Sequence, residues 1–376
     1  MRCYLPQDSS SLAVGAERVA DALRQETAAR GVAIELTRNG SRGLFWLEPL
    51  LEIELDGVRL GFGPMTAAAL PSVLDALAAT PSSHPLFLGP VEDIVWLKSQ
   101  QRLTFARVGR GDPLCLDSYR ALSGFTGLER ALQVAPGEIV AEVTESGLRG
   151  RGGAAFTAGI KWRTVMAAPG AQKYIVCNAD EGDSGTFADR LLMEADPYQL
   201  IEGMIIAALS VGATRGYIYL RSEYPRARLI LNEAIARARA AQYLGSDIRG
   251  SGKAFDLELH MGAGAYICGE ETALLESLEG RRGMVRAKPP LPALHGLFGQ
   301  PTVVNNVLTL AAATTVMEKG ADFYRDFGSG RSRGTLVVQL AGNVRRGGLV
   351  ELAFGATLRQ LVEDYGGGTF SGRPIR

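Results

Sequence analysis

A glycine-rich basic segment offers the first possible chemistry in this sequence. Five glycines lie within thirteen positions, from Gly147 to Gly159, and Arg149, Arg151 and Lys161 lie among or just after them. Glycine leaves backbone N–H groups uncovered, and such groups beside positive charge suit a phosphate or pyrophosphate. The segment is neither a Rossmann G-x-G-x-x-G after a strand nor a Walker loop, since no Gly-Lys-Ser/Thr ends it. A flexible basic loop is the alternative interpretation.

A second segment concentrates polar side chains directly after the strand-like run 174–177. Asn178, Asp180, Glu181 and Asp183 lie within six positions of one another. Crowded carboxylates can bind Mg²⁺ or Ca²⁺, accept hydrogen bonds from a heterocycle or ribose, or cap the next helix. The spacing of an EF-hand loop is absent, so the pattern favours the last two interpretations over a metal site.

Two further segments could contact a ligand. One combines glycines, which let a ligand approach the backbone closely, with acidic side chains, and the other carries paired asparagines. Glycines in 262–269 precede Glu270 and Glu271, which fall at a predicted helix start, where negative charge is favourable. A carboxylate there can accept a ribose hydroxyl, or it can be an ordinary helix-start residue. Asn305 and Asn306 also precede a helix and offer donors and acceptors to a polar ligand, although Asn305 taken alone is more typical of a helix cap.

Alternating strands and helices are expected to position these segments. Apolar strand-like runs at 174–177, 216–220 and 255–259 alternate with amphipathic helical patterns at 197–211 and 224–243. This alternation predicts an α/β domain whose loops at the strand ends carry the function.

The N-terminal part predicts a smaller α/β unit. Residues 51–55 alternate strictly between apolar and acidic, and Asp56–Gly57 is a strong hairpin turn. Strand-like runs at 2–5 and 32–37 enclose a helical pattern. The predicted organisation is a unit at 1–80, a linker at 81–111, the α/β domain at 112–330 and a partial strand-rich domain at 331–376.

Composition excludes several classes of protein. The 376 residues have a net formal charge of zero and 46% are hydrophobic, which argues against a disordered or nucleic-acid-coating protein. The four cysteines lie far apart, without metal-site spacing, and are typical of reduced thiols in a cytoplasmic protein. No secretory leader is evident at the N-terminus, and the apolar helical run at 204–209 is too short for an integral membrane segment.

Four motifs together resemble one family. Gly-Leu-Arg-Gly-Arg-Gly-Gly, Asn-Ala-Asp-Glu-Gly, Gly-Ala-Gly-Ala-Tyr-Ile-Cys-Gly-Glu-Glu-Thr and Pro-Thr-Val-Val-Asn-Asn-Val are similar to the flavoprotein subunit of NADH dehydrogenase (complex I) and its hydrogenase and formate dehydrogenase relatives. The resemblance implies a non-covalent FMN that exchanges hydride with NAD(H), and single-electron exchange with iron–sulfur centres. It also implies an α/β fold with a thioredoxin-like N-terminal unit and the start of a ubiquitin-like β-grasp (SLBB-type) domain.

The resemblance also assigns the site residues. Those implied to line FMN are Gly150, Arg151, Gly152, Lys161, Asn178, Asp180, Tyr266, Glu270, Asn305 and Asn306. The residues implied to face the dinucleotide are Phe156, Asp183, Glu271 and Lys288, and those implied to lie near both ligands are Lys161 and Tyr266. The expected cofactor-binding set also includes Gly153, Glu181 and Gly269. Hydride transfer needs no protein acid or base, so these residues, Asp183 and Glu271 among them, are expected to position and tune.

The sequence differs from the family pattern at several positions, and each difference predicts a change in ligand or cluster binding. Asp183 stands where a glutamate is usual, and Leu291 and Thr164 replace aromatic residues, so weaker NAD(H) binding is expected. Ligands for [2Fe–2S] or [4Fe–4S] clusters are missing, so the sequence is expected to be a C-terminally truncated form.

Within the family, the N-terminal unit and residues 101–107 most resemble the β subunit of molybdenum-containing, NAD-dependent formate dehydrogenase. The implied partners are a molybdenum/iron–sulfur catalytic subunit and a small [2Fe–2S] subunit. A hydrogenase diaphorase subunit or a complex I flavoprotein subunit is the alternative. A flavin-free scaffold subunit is the hypothesis from another class.

Overall fold

A five-stranded mixed sheet organises the N-terminal part of the computed structural model, which describes residues 1–374. Its strands, in spatial order β2-β1-β3-β4-β5, are β1 (Arg2–Tyr4), β2 (Glu35–Thr37), β3 (Leu51–Leu55), β4 (Val58–Phe62) and β5 (Phe87–Pro90). Helices α1 (Ser9–Ala13), α2 (Ala16–Ala29) and α3 (Leu70–Ala79) accompany it. The predicted hairpin joins β3 to β4 through Asp56 and Gly57, both of which have positive φ.

The N-terminal sheet extends beyond the boundary expected at residue 80. Strand β5 lies inside the segment 81–111 that the sequence predicts as a linker, and it pairs with β4 in an antiparallel register. The Pro/Ser-rich run before it forms a 3₁₀ turn at Pro81–Ser83 and not an open connection. The short helix α4 (Val95–Lys98) follows in the same segment. The linker prediction was therefore wrong for this strand, because proline and serine here mark a turn within the unit.

A four-stranded parallel sheet forms the centre of the molecule. Its strands, in spatial order β8-β7-β6-β9, are β6 (Tyr174–Ala179), β7 (Arg215–Leu220), β8 (Asp256–Met261) and β9 (Thr302–Asn306). The helices around it are α5 (Leu116–Ala121), α6 (Thr126–Gln133), α7 (Pro136–Glu145), α8 (Ala158–Ala167), α9 (Ala188–Ala195), α10 (Pro197–Val211), α11 (Pro225–Ala240), α12 (Glu271–Leu278), α13 (Val307–Lys319) and α14 (Ala321–Arg325). The predicted α/β class is confirmed.

Helix α10 is the centre of the main core. All fifteen of its residues are buried, and it packs against α13, α6, α7 and α8. The close approach of α10 to α13 depends on Gly203, since a Cβ atom there would lie 2.1 Å from the carbonyl oxygen of Leu310. Because α10 is buried on every side, most of its residues are apolar, although Gln199 and Glu202 are buried in it as well.

A β-hairpin closes the described part of the chain. Strands β12 (Thr335–Leu340) and β13 (Gly348–Ala353) pair in antiparallel register; the two-residue strands β10 (Gly328–Ser329) and β11 (Ser332–Arg333) precede them, and α15 (Leu358–Gln360) with a π-helical turn at Leu361–Tyr365 follows. Glu351 in β13 is buried and accepts hydrogen bonds from the N–H groups of Thr104 and Phe105, both at 2.8 Å, and from the Thr335 hydroxyl. The segment before the central domain thereby holds the hairpin in place.

Within residues 1–374, none of the helices combines the length and the apolar character needed to cross a lipid bilayer.

Candidate functional site

The sequence motifs meet at one edge of the parallel sheet. Strands β6 and β9 are neighbours, and their register places Asn178 beside Asn306 where both strands end. The loop after β8 leads into α12 and brings Gly269 to Asn178, whose Nδ2 donates to the Gly269 carbonyl at 2.8 Å. Because parallel strands share the direction of their carboxyl ends, residues far apart in sequence form one site here, as the strand-end prediction requires.

Two adjoining cavities occupy this edge. The first, about 550 Å³, contains the carboxylates of Asp180, Glu181, Asp183 and Asp189 in its wall, and we call it the carboxylate cavity. The second, about 430 Å³, contains Lys161 and Lys288 in its wall, and we call it the lysine cavity. Five residues belong to both walls, namely Gly152, Asn178, Gly269, Glu270 and Asn306. Each volume lies in the range of about 300–1,000 Å³ typical of ligand sites.

The structure brings together every residue that the sequence predicts for the site. The carboxylate cavity is lined by Arg151, Gly152, Gly153, Asn178, Asp180, Glu181, Asp183, Tyr266, Gly269, Glu270 and Asn306. The lysine cavity is lined by Gly150, Gly152, Phe156, Lys161, Asn178, Gly269, Glu270, Glu271, Lys288, Asn305 and Asn306. The division differs from the one that the resemblance implies, because Gly150, Lys161 and Asn305, expected to line FMN, border only the lysine cavity. Asp183, expected to face the dinucleotide, borders only the carboxylate cavity.

Asp180 carries a hydrogen-bond acceptor without a protein partner. Its Oδ2 is buried, yet among the described residues nothing donates to it. Burial raises the pKa of Asp180 to about 6, against which the nearby Arg221 acts only in part. A buried acceptor in a cavity wall is costly unless a donor reaches it, so Asp180 suits the N–H of a bound heterocycle.

Glu181 has a different role from its neighbours in the acidic segment. Its carboxylate accepts the N–H groups of Asp189 and Arg190, both at 3.1 Å, and the hydroxyl of Tyr224 at 2.9 Å. These contacts place the side chain at the N-terminus of α9, where a carboxylate satisfies free helix donors. The capping alternative therefore describes Glu181, although it also borders the carboxylate cavity.

Tyr266 lies across the mouth of the carboxylate cavity. Its hydroxyl donates to Asp183 Oδ1 at 2.6 Å, and 71% of the residue is exposed. Gly182 makes room for the ring, since a Cβ atom at this position would lie 3.0 Å from it. The hydrogen bond to Asp183 raises the pKa of Tyr266.

Charged side chains of opposite sign alternate along the wall of the lysine cavity. Lys288 Nζ lies 2.8 Å from Glu270 Oε1 and 2.9 Å from Glu271 Oε1. The second oxygen of Glu271 accepts a hydrogen bond from Lys161 Nζ at 3.2 Å, and the same ammonium group donates to the Val304 carbonyl at 2.7 Å. The two lysines and two glutamates thus neutralise one another, and both lysines are held where an anionic ligand can approach them.

Glu270 is ionised because donors surround it. Burial alone would raise the pKa of Glu270, but Lys288, the Thr272 hydroxyl and the first N–H groups of α12 outweigh it and lower the pKa to about 2. Glu270 is the N-cap of α12 and accepts from the N–H groups of Thr272 and Ala273 at 2.8 and 2.9 Å. The sequence prediction of a helix-start carboxylate is confirmed, and its second oxygen remains available to Lys288.

The rim of the lysine cavity is apolar. Phe156 and Leu291 line it and are 54% and 50% exposed, and Thr164 also contributes. One aromatic ring is thus present where the family pattern leads one to expect more. A planar base entering this cavity meets the ring of Phe156 and the aliphatic side chain of Leu291.

The glycine-rich segment contributes mainly its backbone. The N–H of Arg151 donates to Thr309 Oγ1 at 2.8 Å near the start of α13, and among residues 1–374 the N–H groups of Gly152 and Gly153 have no protein acceptor. The guanidinium of Arg151 binds the Tyr324 hydroxyl and the Arg333 carbonyl at 2.9 and 2.8 Å. Two free amide donors thus face the carboxylate cavity, while the Arg151 side chain joins the loop to the region before the hairpin.

Sequence reasoning missed several residues of the cavity walls. Asp189 and Thr309 belong to helices that follow the motifs, and their positions near the helix starts were the available signal. Val337 and Gln339 come from β12, and Gln339 Oε1 accepts the N–H of Phe187. No local pattern in the sequence indicates that the hairpin reaches this site.

The residues present fit a flavin mononucleotide. The unpartnered Asp180 oxygen matches the single N–H of the oxidised flavin ring, and the free amides of the glycine-rich loop match acceptor groups. The adjoining lysine cavity is large enough for part of a second ligand. Within residues 1–374, no group of three or more His, Cys, Asp or Glu side chains has the arrangement of a metal site.

Comparisons with known proteins point in the same direction. Residues 143–315 match the family described as the Nuo51 FMN-binding domain. Over 262 residues the chain is 50% identical to an F-type subunit of the NADH-quinone oxidoreductase of Rhizobium meliloti, and over 279 residues it is 47% identical to the HndC subunit of the NADP-reducing hydrogenase of Solidesulfovibrio fructosivorans. These alignments cover 69% and 74% of this chain, but 62% and 57% of the relatives.

The structural comparison extends beyond the central domain. A crystal structure of NAD⁺-reducing [NiFe]-hydrogenase in its H₂-reduced state is similar with a TM-score of 0.62 and 30% identity, over 99% of this chain and 61% of that one. The chain thus spans about three fifths of the length of its relatives. FMN and NAD are the cofactors that these relationships support. Residues 143–315 are therefore similar to the Nuo51 FMN-binding domain, and the relatives that the chain matches are subunits of an NADH-quinone oxidoreductase and of an NADP-reducing hydrogenase.

Proposed function

We propose that this protein binds FMN in the carboxylate cavity and NAD(H) in the lysine cavity, and that it exchanges hydride between them as a diaphorase-type subunit. The observation that carries the proposal is the shared wall of the two cavities, which includes Gly152, Asn178 and Glu270. Because the same residues line both cavities, the cavities adjoin, and ligands bound in them can bring their reactive atoms into the contact that hydride transfer requires.

The flavin, when bound, supplies the hydride acceptor, and the protein supplies position and charge. Asp180 accepts a ring N–H, and the free N–H groups of Gly152 and Gly153 donate to flavin oxygens. Asn178 holds the loops after β6 and β8 together, because its side chain bonds to both the Gly269 carbonyl and the Asp180 N–H. The spacing of the two loops, and with it the distance between the two ligands, therefore depends on these two hydrogen bonds of Asn178.

The dinucleotide is proposed to bind through charge and ring contacts. Lys288 and Lys161 attract its phosphates, and Glu271 between them can turn toward a ribose hydroxyl once a phosphate engages Lys288. Phe156 offers a face to a base or nicotinamide ring. Asp183 and Tyr266 limit access at the mouth of the neighbouring cavity.

Flavin binding and reduction test the proposal without any partner protein. FMN is added to the purified 376-residue chain and its fluorescence quenching and absorbance are recorded; NADH is then added without oxygen. We expect one FMN per chain and bleaching of the flavin band by stoichiometric NADH. Absence of FMN binding would favour a flavin-free scaffold protein, and binding without NADH-dependent bleaching would contradict the proposed dinucleotide site.

The electron source is a finer proposal. The resemblance of the N-terminal unit and residues 101–107 favours formate, with a molybdenum/iron–sulfur subunit and a small [2Fe–2S] subunit as partners. The likeness to an NAD⁺-reducing [NiFe]-hydrogenase over nearly the whole chain favours hydrogen instead. Purifying the chain from its natural host with its bound subunits, and assaying NAD⁺ reduction with formate and with H₂, separates the two. We expect formate to be the active donor; activity with H₂ alone would contradict this.

A further inference from the structure

Asp189 is a buried acid in the carboxylate cavity to which none of the sequence motifs assigned a role. It is the second residue of α9, only 5% exposed, and it lines the cavity. Its side chain accepts one hydrogen bond, from Asn306 Nδ2 at 2.6 Å. In the part of the chain that the structure describes, no Lys, Arg or His side chain pairs with it. A carboxylate in such surroundings is expensive to ionise.

The nearest titratable group makes ionisation of Asp189 harder still. Glu181 lies close enough for its carboxylate to accept the Asp189 N–H, and it also holds the Arg190 N–H and the Tyr224 hydroxyl. Burial raises the pKa of Glu181 as well, but these three donors act against that rise, whereas Asp189 accepts from one donor only. Two neighbouring carboxylates without a cation between them do not both ionise readily, so the proton of the pair belongs on Asp189.

The other elements packed around Asp189 bring no compensating charge. Strand β6 presents Cys177, a buried thiol, and the end of β9 presents the amide of Asn306. The guanidinium of Arg190 lies over the ring of Tyr224, 5.6 Å from its centre. Burial and the charge of Glu181 raise the pKa of Asp189 well above the usual range of an aspartate.

Besides the free N–H groups of Gly152 and Gly153, the carboxylate cavity presents several side chains that act as acceptors. Asp180, Asp183 and Glu270 in its wall are acceptors when ionised, whereas a flavin ring carries two carbonyl oxygens and ring nitrogens that need donors. A neutral carboxylic acid supplies one. Asn306 fixes the Asp189 carboxyl group through Oδ2, and Asn306 is itself fixed because its Oδ1 caps α13 by accepting the Leu308 N–H at 2.9 Å.

We propose that Asp189 is a positioning residue for the flavin: its neutral carboxyl group donates a hydrogen bond, through the oxygen not held by Asn306, to an acceptor atom of bound FMN. This inference rests on the proposed function, because it requires FMN in the carboxylate cavity. It predicts that FMN affinity falls when Asp189 ionises, since the donor is then replaced by a charged acceptor.

The test compares the unmodified chain with Asp189→Asn. The flavin-free chain is titrated with FMN, and the dissociation constant is measured by fluorescence quenching from about pH 6 to about pH 9.5. Asparagine keeps an acceptor for Asn306 and an N–H donor at every pH. We therefore expect similar affinities at the low end and an unmodified chain that binds about tenfold more weakly than the variant at the high end. The ratio of the two constants cancels the titration of FMN itself.

A second variant tests the link to Glu181. Glu181→Gln removes the charge that opposes ionisation of Asp189, so the loss of FMN affinity is expected to begin at lower pH than in the unmodified chain. Far-ultraviolet circular dichroism and a thermal melt establish that each variant is folded before titration.

Three outcomes would overturn the inference while leaving the proposed function intact. If Asp189→Asn binds FMN about tenfold more weakly at pH 6, Asp189 is an ionised acceptor. If Asp189→Ala binds FMN as tightly as the unmodified chain at pH 6, no donor from Asp189 reaches the flavin. If Glu181→Gln leaves the pH dependence unchanged, the two acids are not coupled. Failure of the unmodified chain to bind FMN at any pH would instead overturn the proposed function and the inference together.

Discussion

Lys288 Nζ lies 2.8 Å from Oε1 of Glu270, the residue whose other oxygen caps helix α12. The same ammonium group lies 2.9 Å from Glu271, so Lys288 pairs with both carboxylates, and Lys161 supplies the second positive charge that balances them. Glu270 and Glu271 hold the Lys288 ammonium group in place before an anionic ligand enters the lysine cavity. The pairing thus fixes the position of the positive charge, and it reduces the repulsion between the two glutamates and the anionic ligand.

Replacing Lys288 by methionine is expected to weaken NADH binding about tenfold. The change keeps most of the aliphatic chain but leaves Glu270 and Glu271 facing the ligand phosphates without their cation. The measurement is the NADH dissociation constant of the FMN-loaded chain. Lys98→Met is the matched control, since Lys98 pairs only with Asp93 at the surface of the N-terminal part. Equal NADH affinity in the two variants would contradict the role assigned to Lys288.

Replacing Leu291 by phenylalanine is expected to strengthen NADH binding about threefold to tenfold, because an aromatic face stacks on a base where leucine cannot. Leu291 is half exposed at the rim of the lysine cavity, so the larger ring has room. NADH titrations of the variant and the unmodified chain measure the change. Leu229→Phe on the exposed face of α11 controls for added hydrophobic surface. Unchanged or weaker binding in Leu291→Phe would count against the stacking argument.

Replacing Glu48 by glutamine is expected to stabilise the protein at mildly alkaline pH. Burial and the nearby Asp8 raise the pKa of Glu48 to about 8, so the folded state holds a proton that the unfolded chain has lost. The stability that Glu48 contributes below its unfolded pKa is therefore lost progressively as the pH rises toward about 8. Glutamine does not titrate, and we expect a gain of about 2 kcal/mol near pH 8 that shrinks toward about pH 5.

Urea denaturation of the Glu48→Gln variant at several pH values checks this expectation, with Glu145→Gln at an exposed position as the control. The difference in unfolding free energy must grow with pH for Glu48 and stay near zero for Glu145. A constant difference across the pH range would mean that Glu48 does not titrate in this window.

Replacing Gly203 by alanine is expected to destabilise the protein by about 3 kcal/mol. The added Cβ atom would lie 2.1 Å from the Leu310 carbonyl oxygen, so α10 and α13 must move apart. Gly137→Ala in α7 is the opposite control, because no atom lies within 4 Å of a Cβ there, and it should stabilise by about 0.5–1 kcal/mol. Thermal unfolding of both variants measures the effect. A Gly203→Ala protein as stable as the unmodified chain would contradict the close packing of the two helices.

Much of the site was predictable because its motifs lie at strand ends. The parallel arrangement brings such ends to one edge whatever their distance in sequence, so Asn178, Glu270 and Asn306 were expected to converge. Local chemistry also predicted a carboxylate at the start of α12 and an asparagine cap at the start of α13, but the capping residue is Asn306 and not Asn305, whose Oδ1 accepts a hydrogen bond from Trp162 Nε1.

Other features depend on tertiary contacts that no local pattern records. The Arg151 guanidinium turns to Tyr324 and Arg333, although a basic residue in a glycine-rich loop suggests a phosphate ligand. The contribution of Gln339 depends on how the hairpin packs against α9. The extra strand β5 was missed because its Gly-Pro ending is typical of loops, whereas pairing with β4 at the sheet edge tolerates both residues.

The hydrogen bonds from the N–H groups of Thr104 and Phe105 to Glu351 have a consequence for biosynthesis. Glu351 follows Thr104 by 247 positions and Phe105 by 246 positions, so the two donors leave the ribosome long before Glu351 is synthesised. Until β12 and β13 emerge, the carboxylate cavity lacks the part of its wall that Val337 and Gln339 provide. The nascent chain is thus expected to acquire full flavin affinity only after the hairpin docks, which makes cofactor capture a late event of synthesis.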